Sequence, residues 1–358
     1  MSSHSDLFAF AVALFASLGL TWPVRAFALR IGMVDKPGPR KVHLKPVPLL
    51  GGIAIYLGFV IAVLLTVHGV PKQIAGVLAG ATLLAGIGFL DDGGLLHHQI
   101  KLFIGMPLAA VLLLATGTRA QFFCAFIPGN TGLVLDMLFT IFWVVGITAS
   151  FSILDHMDGL CAGIAAVAAA FFTVEAYLDG QTMVRTLAAA SLGAALGFLR
   201  WNFNPAKIFM GDGGAMLLGF LMATLGLKIR PTETQTPLSW LVPILILGAP
   251  IFDTTLVFIS RARRGLVPFA SPGKDHTAHR LCNLGLGCRG AVLSLYLFAA
   301  FSGCVGLIVR DLSAGTACIL MAALVLLGLL AVSLLEDVPY ERQSKASPTP
   351  EHSSSAGA

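Results

Sequence analysis

The chain is a succession of apolar runs separated by short polar loops, and most runs are about as long as a membrane-crossing helix. A bilayer core takes roughly 17–25 mostly apolar residues per helix. On that measure spans begin near Leu7, Leu49, Ile74, Leu102, Leu133, Gly159, Met183, Met210, Leu238, Ala291 and Gly315. The expected fold is an all-α polytopic membrane protein with about eleven transmembrane helices. Between the fourth and fifth runs, Gln121 to Asn130 is open to an extracytoplasmic hairpin instead of a helix. The run from Leu7 has no basic segment before it and no convincing small-residue cleavage site, so a retained helix is expected rather than a cleaved signal peptide. Residues 1–335 read as one integral-membrane domain. From Glu336 to Ala358 the chain turns polar and rich in Ser, Pro and Glu, and a disordered tail is expected.

Composition strengthens this picture. The 358 residues are 56% hydrophobic and 11% charged, whereas soluble domains carry about 25% charged residues. A net charge of +5 is no nucleic-acid signature, and nucleic acid is not an expected partner. The positions of the cations say more than their sum. Arg30, Lys36, Arg40, Lys41 and Lys45 crowd the first loop. Arg200 and Lys207 lie in the seventh, and Arg261, Arg263, Arg264, Lys274, Arg280 and Arg289 fill the ninth. The positive-inside rule then places odd-numbered loops in the cytoplasm, the N-terminus outside and the C-terminus inside. Six cysteines, without C-x-x-C or zinc spacing, are expected to be reduced and inert.

Against this apolar background five aspartates stand at the margins of spans on the cytoplasmic face: Asp91, Asp92, Asp155, Asp158 and Asp212. Carboxylates beside hydrocarbon are costly and are kept where they are used. Gathered on one face they suit a hard divalent cation, which in turn handles phosphate. Asp91 and Asp92 end the third span, where the helix dipole disfavours negative charge. Asp155 and Asp158 would share a face of a helix or cap the sixth span, and capping explains one of the two better than both. Asp212 sits among glycines at a helix start, a shape suited to phosphate or to an N-cap. Gly51-Gly52 allows close approach, of a phosphate or of another helix. In the ninth loop His276, His279 and Arg280 would stabilise a transferring phosphoryl group. The two histidines would also suit a soft metal, but no cysteine or third histidine completes such a site. Asp253 is a further acid inside a span.

Together these motifs resemble the polyprenyl-phosphate N-acetylhexosamine-1-phosphate transferases of glycosyltransferase family 4. The resemblance rests on D-K-P-x-x-R-K-x-H from Asp35 to His43, P-x-x-G-G from Pro48 to Gly52, L-D-D at Leu90–Asp92, D-x-x-D-G-L from Asp155, F-M-G-D-x-G from Phe209, and D-H-x-x-H-R from Asp275. It covers roughly residues 7–335. The family implies an α-helical enzyme of the bacterial inner (plasma) membrane, with a cytoplasmic active site and a homodimer compatible with the chain. Such enzymes move a sugar-1-phosphate from a UDP-N-acetylhexosamine onto an undecaprenyl-type lipid phosphate, releasing UMP and requiring Mg²⁺, for which Mn²⁺ can substitute. This step initiates cell-envelope polysaccharide assembly.

Carried over by position, the resemblance makes Asp91, Asp92 and Asp212 the candidate metal ligands and gives Asp91, Asp92, Asp155, His276 and His279 catalytic roles. His43, Lys45, Asp158, Lys207 and Arg280 are expected to hold substrate. This sequence departs from the family pattern in two motifs. Ala149 and Ser152 stand where the family has asparagines and His156 where it has a glycine, and Ala278 replaces one histidine. Two rival readings make different demands on the sequence. A secondary transporter with an interfacial acidic ion site would place its acids near the midplane and show repeats. A CDP-alcohol phosphotransferase would carry its acids on one compact segment.

Overall fold

Apolar runs that cannot hydrogen-bond to lipid must satisfy their backbone internally, and here they do so as helices. The computed structural model describes residues 5–35, 46–67, 69, 71–96, 98–229, 240–267 and 273–338. Helix α1 (Ser5–Arg30) leads through a two-residue antiparallel ladder, β1 (Val34–Asp35) with β2 (Val47–Pro48), to α2 (Gly51–Thr66) and α3 (Lys72–Asp92). A single turn, α4 (His98–Ile100), runs through a π-helical stretch, Lys101–Gly105, into α5 (Met106–Ala115). There follow α6 (Phe123–Phe126), α7 (Asn130–Leu154), α8 (Leu160–Leu178), α9 (Thr182–Asn202) and α10 (Gly211–Lys228). The last third comprises α11 (Leu241–Ile246), α12 (Gly248–Arg263), α13 (Thr277–Leu281), a second π-helical stretch, Cys282–Leu286, α14 (Gly287–Val309) and α15 (Ala314–Glu336).

Among the described residues seven helical runs are long and apolar enough to cross a membrane: α1, α3, α7, α8, α9, the continuous Thr277–Val309 and α15. Each of the eleven expected starts lies within about one turn of an observed helix or π-helical start. Gln121–Asn130 holds only α6, whose Phe123 and Cys124 N–H groups donate to the Asp136 carboxylate at 2.7 and 3.2 Å. The boundary drawn at Glu336 falls on the last residue of α15, and residues 339–358 lie outside those described.

The core is organised around α10, which is buried at every position except Asp212. Its sequence allows this because small residues let backbones approach closely, the usual way helices associate in a bilayer. A Cβ on Gly88 of α3 would lie 2.1 Å from the Gly213 Cα, and one on Gly52 of α2 would lie 2.4 Å from the Gly214 nitrogen. The Gly51-Gly52 pair therefore serves helix packing. Its N–H groups donate to the Phe209 and Met210 carbonyls at 2.9 and 2.8 Å. Outward-facing apolar side chains such as Phe15, Phe142 and Leu326 stay exposed, as lipid contact requires.

Candidate active site

Antiparallel packing brings the C-terminal ends of α3 and α7 and the N-terminal ends of α8 and α10 to one end of the bundle. Each of these ends carries an aspartate. Lys101, at the head of the π-helical stretch, places its ammonium between two of them, 2.8 Å from Asp91 Oδ2 and 2.5 Å from Asp212 Oδ2. Ser152 on α7 donates its hydroxyl to Asp212 Oδ1 at 3.2 Å. Asp92 crosses to the start of α10 and accepts the Asp212 N–H at 2.9 Å. Negative charge ending α3 is thus balanced by the positive N-terminus of α10. Gly211 makes room for it, since a Cβ there would stand 2.2 Å from Asp92 Oδ2 and the backbone has φ +72°.

Asp155 follows the last residue of α7. Burial first, then the negative charges of Asp212, Asp92 and Asp158, push its carboxyl up to about 8. Among the described residues no hydrogen bond holds it. Asp158 does not cap α8, whose N-cap is Gly159 without a side-chain cap. Instead it accepts from the Asn204 amide and the Ala206 N–H, both at 3.0 Å, tying the α7–α8 turn to the loop before α10. That loop borders an open groove of about 520 Å³ lined by Leu196, Leu199, Arg200, Trp201, Phe203 and Lys207 among others. The Lys207 ammonium lies over the Trp201 ring, 5.5 Å from its centroid.

A second cluster adjoins the first through His156. Its ring stacks on His276 at 4.0 Å between centroids and stands 4.9 Å from His279. Burial, then the charge of His276, holds His156 well below the usual histidine range. His276 Nδ1 is 3.0 Å from Asp253 Oδ2, and Asp253 Oδ1 accepts the Thr277 N–H at 2.7 Å. Below these, Arg261 grips Asp275 with two hydrogen bonds, at 3.0 and 2.9 Å, and Arg264 adds a third. Burial alone would raise the Asp275 carboxyl, but Arg261 and Arg264 hold it at about 2.

The structure thus gathers Asp91, Asp92, Asp155 and Asp212, with Asp158, His276 and His279 alongside. Arg280 departs from its expected place on substrate. It is fully buried, donating to the Asp275 and Leu335 carbonyls, the Ser260 hydroxyl and Glu336 Oε1 at 2.5–2.9 Å, and so fastens the end of α15 to α12 and α13. With four of these hydrogen bonds made to protein acceptors and no surface exposed, the guanidinium does not face a phosphate. Glu336, read as the start of an inert tail, is one of those partners. His43 and Lys45 lie outside the described residues. Sequence reasoning passed over Lys101, although a lone lysine opening an apolar run beside an aspartate pair was a usable signal. It also passed over Tyr296, whose hydroxyl donates to the Gly159 carbonyl at 2.5 Å and steadies the α8 turn.

Residues 74–230 match the model of glycosyl transferase family 4. Over 291 residues the chain is 37% identical to the probable undecaprenyl-phosphate N-acetylglucosaminyl 1-phosphate transferase of Bacillus subtilis, an overlap of 81% of this chain and 80% of that protein. The chain belongs to glycosyl transferase family 4. Other members are similar over comparable lengths. The decaprenyl-phosphate N-acetylglucosaminephosphotransferase of Mycobacterium tuberculosis is 34% identical, over 78% of this chain and 76% of that one. The undecaprenyl-phosphate alpha-N-acetylglucosaminyl 1-phosphate transferase of Escherichia coli K12 is 29% identical, over 83% and 82%. The family match spans α3 to α10 and so contains all the clustered aspartates, while the histidine cluster draws on residues beyond it.

Proposed function

We propose that this membrane protein transfers an N-acetylhexosamine-1-phosphate from a UDP-sugar to polyprenyl phosphate, releasing UMP. The observation that carries the reading is the convergence of Asp91, Asp92, Asp155 and Asp212 from separate helix ends into one cradle, in a chain whose relatives bear polyprenyl-phosphate transferase names. A lipid phosphate oxygen attacks the β-phosphorus, the bond from that phosphorus to the bridging oxygen breaks, and the electron pair leaves with UMP. Both reactants are anionic, so the protein's main task is to hold them in line and offset their charge.

The residues divide that task. Arg200, Lys207 and the apolar wall of the groove suit a lipid phosphate and the first part of its chain. His276 and His279 face the nucleotide diphosphate. Asp158 fixes the loop between the two. The attacking phosphate is already largely ionised near neutral pH, so a strong general base is unnecessary. Asp155, uncommitted and raised towards neutrality, holds or releases a proton as charge enters the cradle.

Support for a divalent cation comes from the donor set. Carboxylate oxygens with a hydroxyl beside them suit a hard ion, and a lysine already offsets their charge. Asp91, Asp92 and Asp212 would hold Mg²⁺ (or Mn²⁺), which when bound neutralises charge developing on the transferring phosphoryl group. Alternation of loop charge supports a cytoplasmic setting for this end of the bundle and a reading of the eleven apolar segments as crossings of the bacterial plasma membrane. The test is transfer of radiolabel from UDP-GlcNAc or UDP-GalNAc to undecaprenyl phosphate in membranes. Asp212→Asn is expected to remove nearly all turnover while the protein still inserts. Near wild-type turnover in that variant defeats the reading.

A further inference from the structure

His156 supplies what the ninth loop lacks in sequence, a third ligand beside its histidines. One potential ligand atom from each of His156, Asp253 and His276 lies within 4.8 Å of the others. The three come from separate places: the α7–α8 turn, the middle of α12 and the residue before α13. Two features make the group more than a chance meeting of polar side chains. His156 Nδ1 lies 3.2 Å from the Ile153 carbonyl, which assigns the ring proton there and leaves the lone pair on Nε2. That Nε2 is buried and has no hydrogen-bond partner among the described residues. A buried acceptor without a partner is costly unless something fills its place. A histidine whose other nitrogen donates to a backbone carbonyl is also the usual arrangement of a metal ligand. Asp253 is similarly braced, with one oxygen on the Thr277 N–H and the other towards His276.

We propose that His156, Asp253 and His276 form a binding site for a borderline divalent cation of the Zn²⁺ class, separate from the acidic cradle. Two imidazole nitrogens and one carboxylate oxygen are a ligand set for zinc, with a fourth position left open. Mg²⁺, which demands oxygen, is disfavoured there, so the two clusters sort cations by hardness. Tetrahedral coordination at 2.0–2.1 Å needs donor atoms about 3.4 Å apart. His156 and His276 are stacked 4.0 Å apart at 25°, so binding one ion requires their rings to rotate out of the stack until the in-plane lone pairs meet.

The experiment uses the full-length protein in detergent, stripped with a chelator and titrated with Co²⁺ in excess Mg²⁺, with visible absorption as the readout. Wild type is expected to take up one equivalent with the intense bands of low-coordinate cobalt, displaced by Zn²⁺ and not by Mg²⁺. His156→Gln and Asp253→Asn should each weaken uptake by more than the 10–100-fold typical of losing an outer-shell partner. Asp212→Asn should leave it intact, and elution as a monodisperse species checks that each variant is folded. Equal cobalt affinity in wild type and His156→Gln overturns the proposal. So does loss of uptake in Asp212→Asn alone, which would put the ion in the cradle. Binding is read without turnover, so failure here leaves the transferase reading standing.

Discussion

Two clusters of charge share one end of this bundle and are balanced in opposite ways. Around Asp275 and Glu336 the chain supplies its own counter-ions. Arg261 and Arg264 hold Asp275, and Arg280, with Arg263 farther off, holds Glu336. Among the described residues, Asp91, Asp92, Asp155 and Asp212 of the cradle share one ammonium, that of Lys101, and one helix N-terminus. The first cluster is architecture, closed and satisfied. The second carries an excess of negative charge, which is costly near hydrocarbon and is tolerated where a cation and phosphates are to be handled. Evenly paired charges hold helices together, and a local deficit of positive charge marks the place left for a ligand.

The contrast breaks most sharply at Arg280. Arg280→Met strands Glu336 and two carbonyls, and should cost about 3 kcal/mol. Unfolding in detergent should show it, with Glu336→Gln adding little on top because both act on one pair. Fully additive losses would mean the two do not work together. In the cradle, Gly211→Ala meets both a left-handed backbone and the Asp92 carboxylate. About 1–2 kcal/mol of backbone strain is expected, with Asp92 displaced and turnover down about tenfold. Unaltered turnover would show that the placement of Asp92 does not matter. The smallest effect concerns Asp275. Its carboxyl is held at about 2, below its ordinary value, so the stabilisation it gives is complete above about pH 4 and fades as pH falls towards 2. Asp275→Asn should flatten stability over that window. A wild-type pH profile in the variant contradicts the assignment.

Much of this was legible in the sequence for simple reasons. Long apolar runs have few alternatives to helix in lipid, and aspartates at their margins are too costly to be incidental. What stayed hidden depends on contacts between distant segments. Nothing local says that His156 stacks on His276, or that the histidine in place of the family's glycine completes a trio with Asp253. Arg280 looked like a phosphate ligand because a cation beside two histidines usually reads so. Its true partners come from the end of α15. An N-cap is one reading of Asp212, yet the carboxylate that accepts from the start of α10 comes from the end of α3. Ser152, a departure from the family's asparagine, donates a hydrogen bond to Asp212.

The cradle's proposed role as cation holder is tested most directly by the Mg²⁺-dependent rise in unfolding temperature of the full-length protein. A ligand that binds only the folded state stabilises it as its concentration passes its dissociation constant. Wild type should rise, and Lys101→Met should rise at lower Mg²⁺ because a competing ammonium is gone. Asp212→Asn should not respond. An Asp212→Asn protein that Mg²⁺ stabilises as it does wild type would contradict the account.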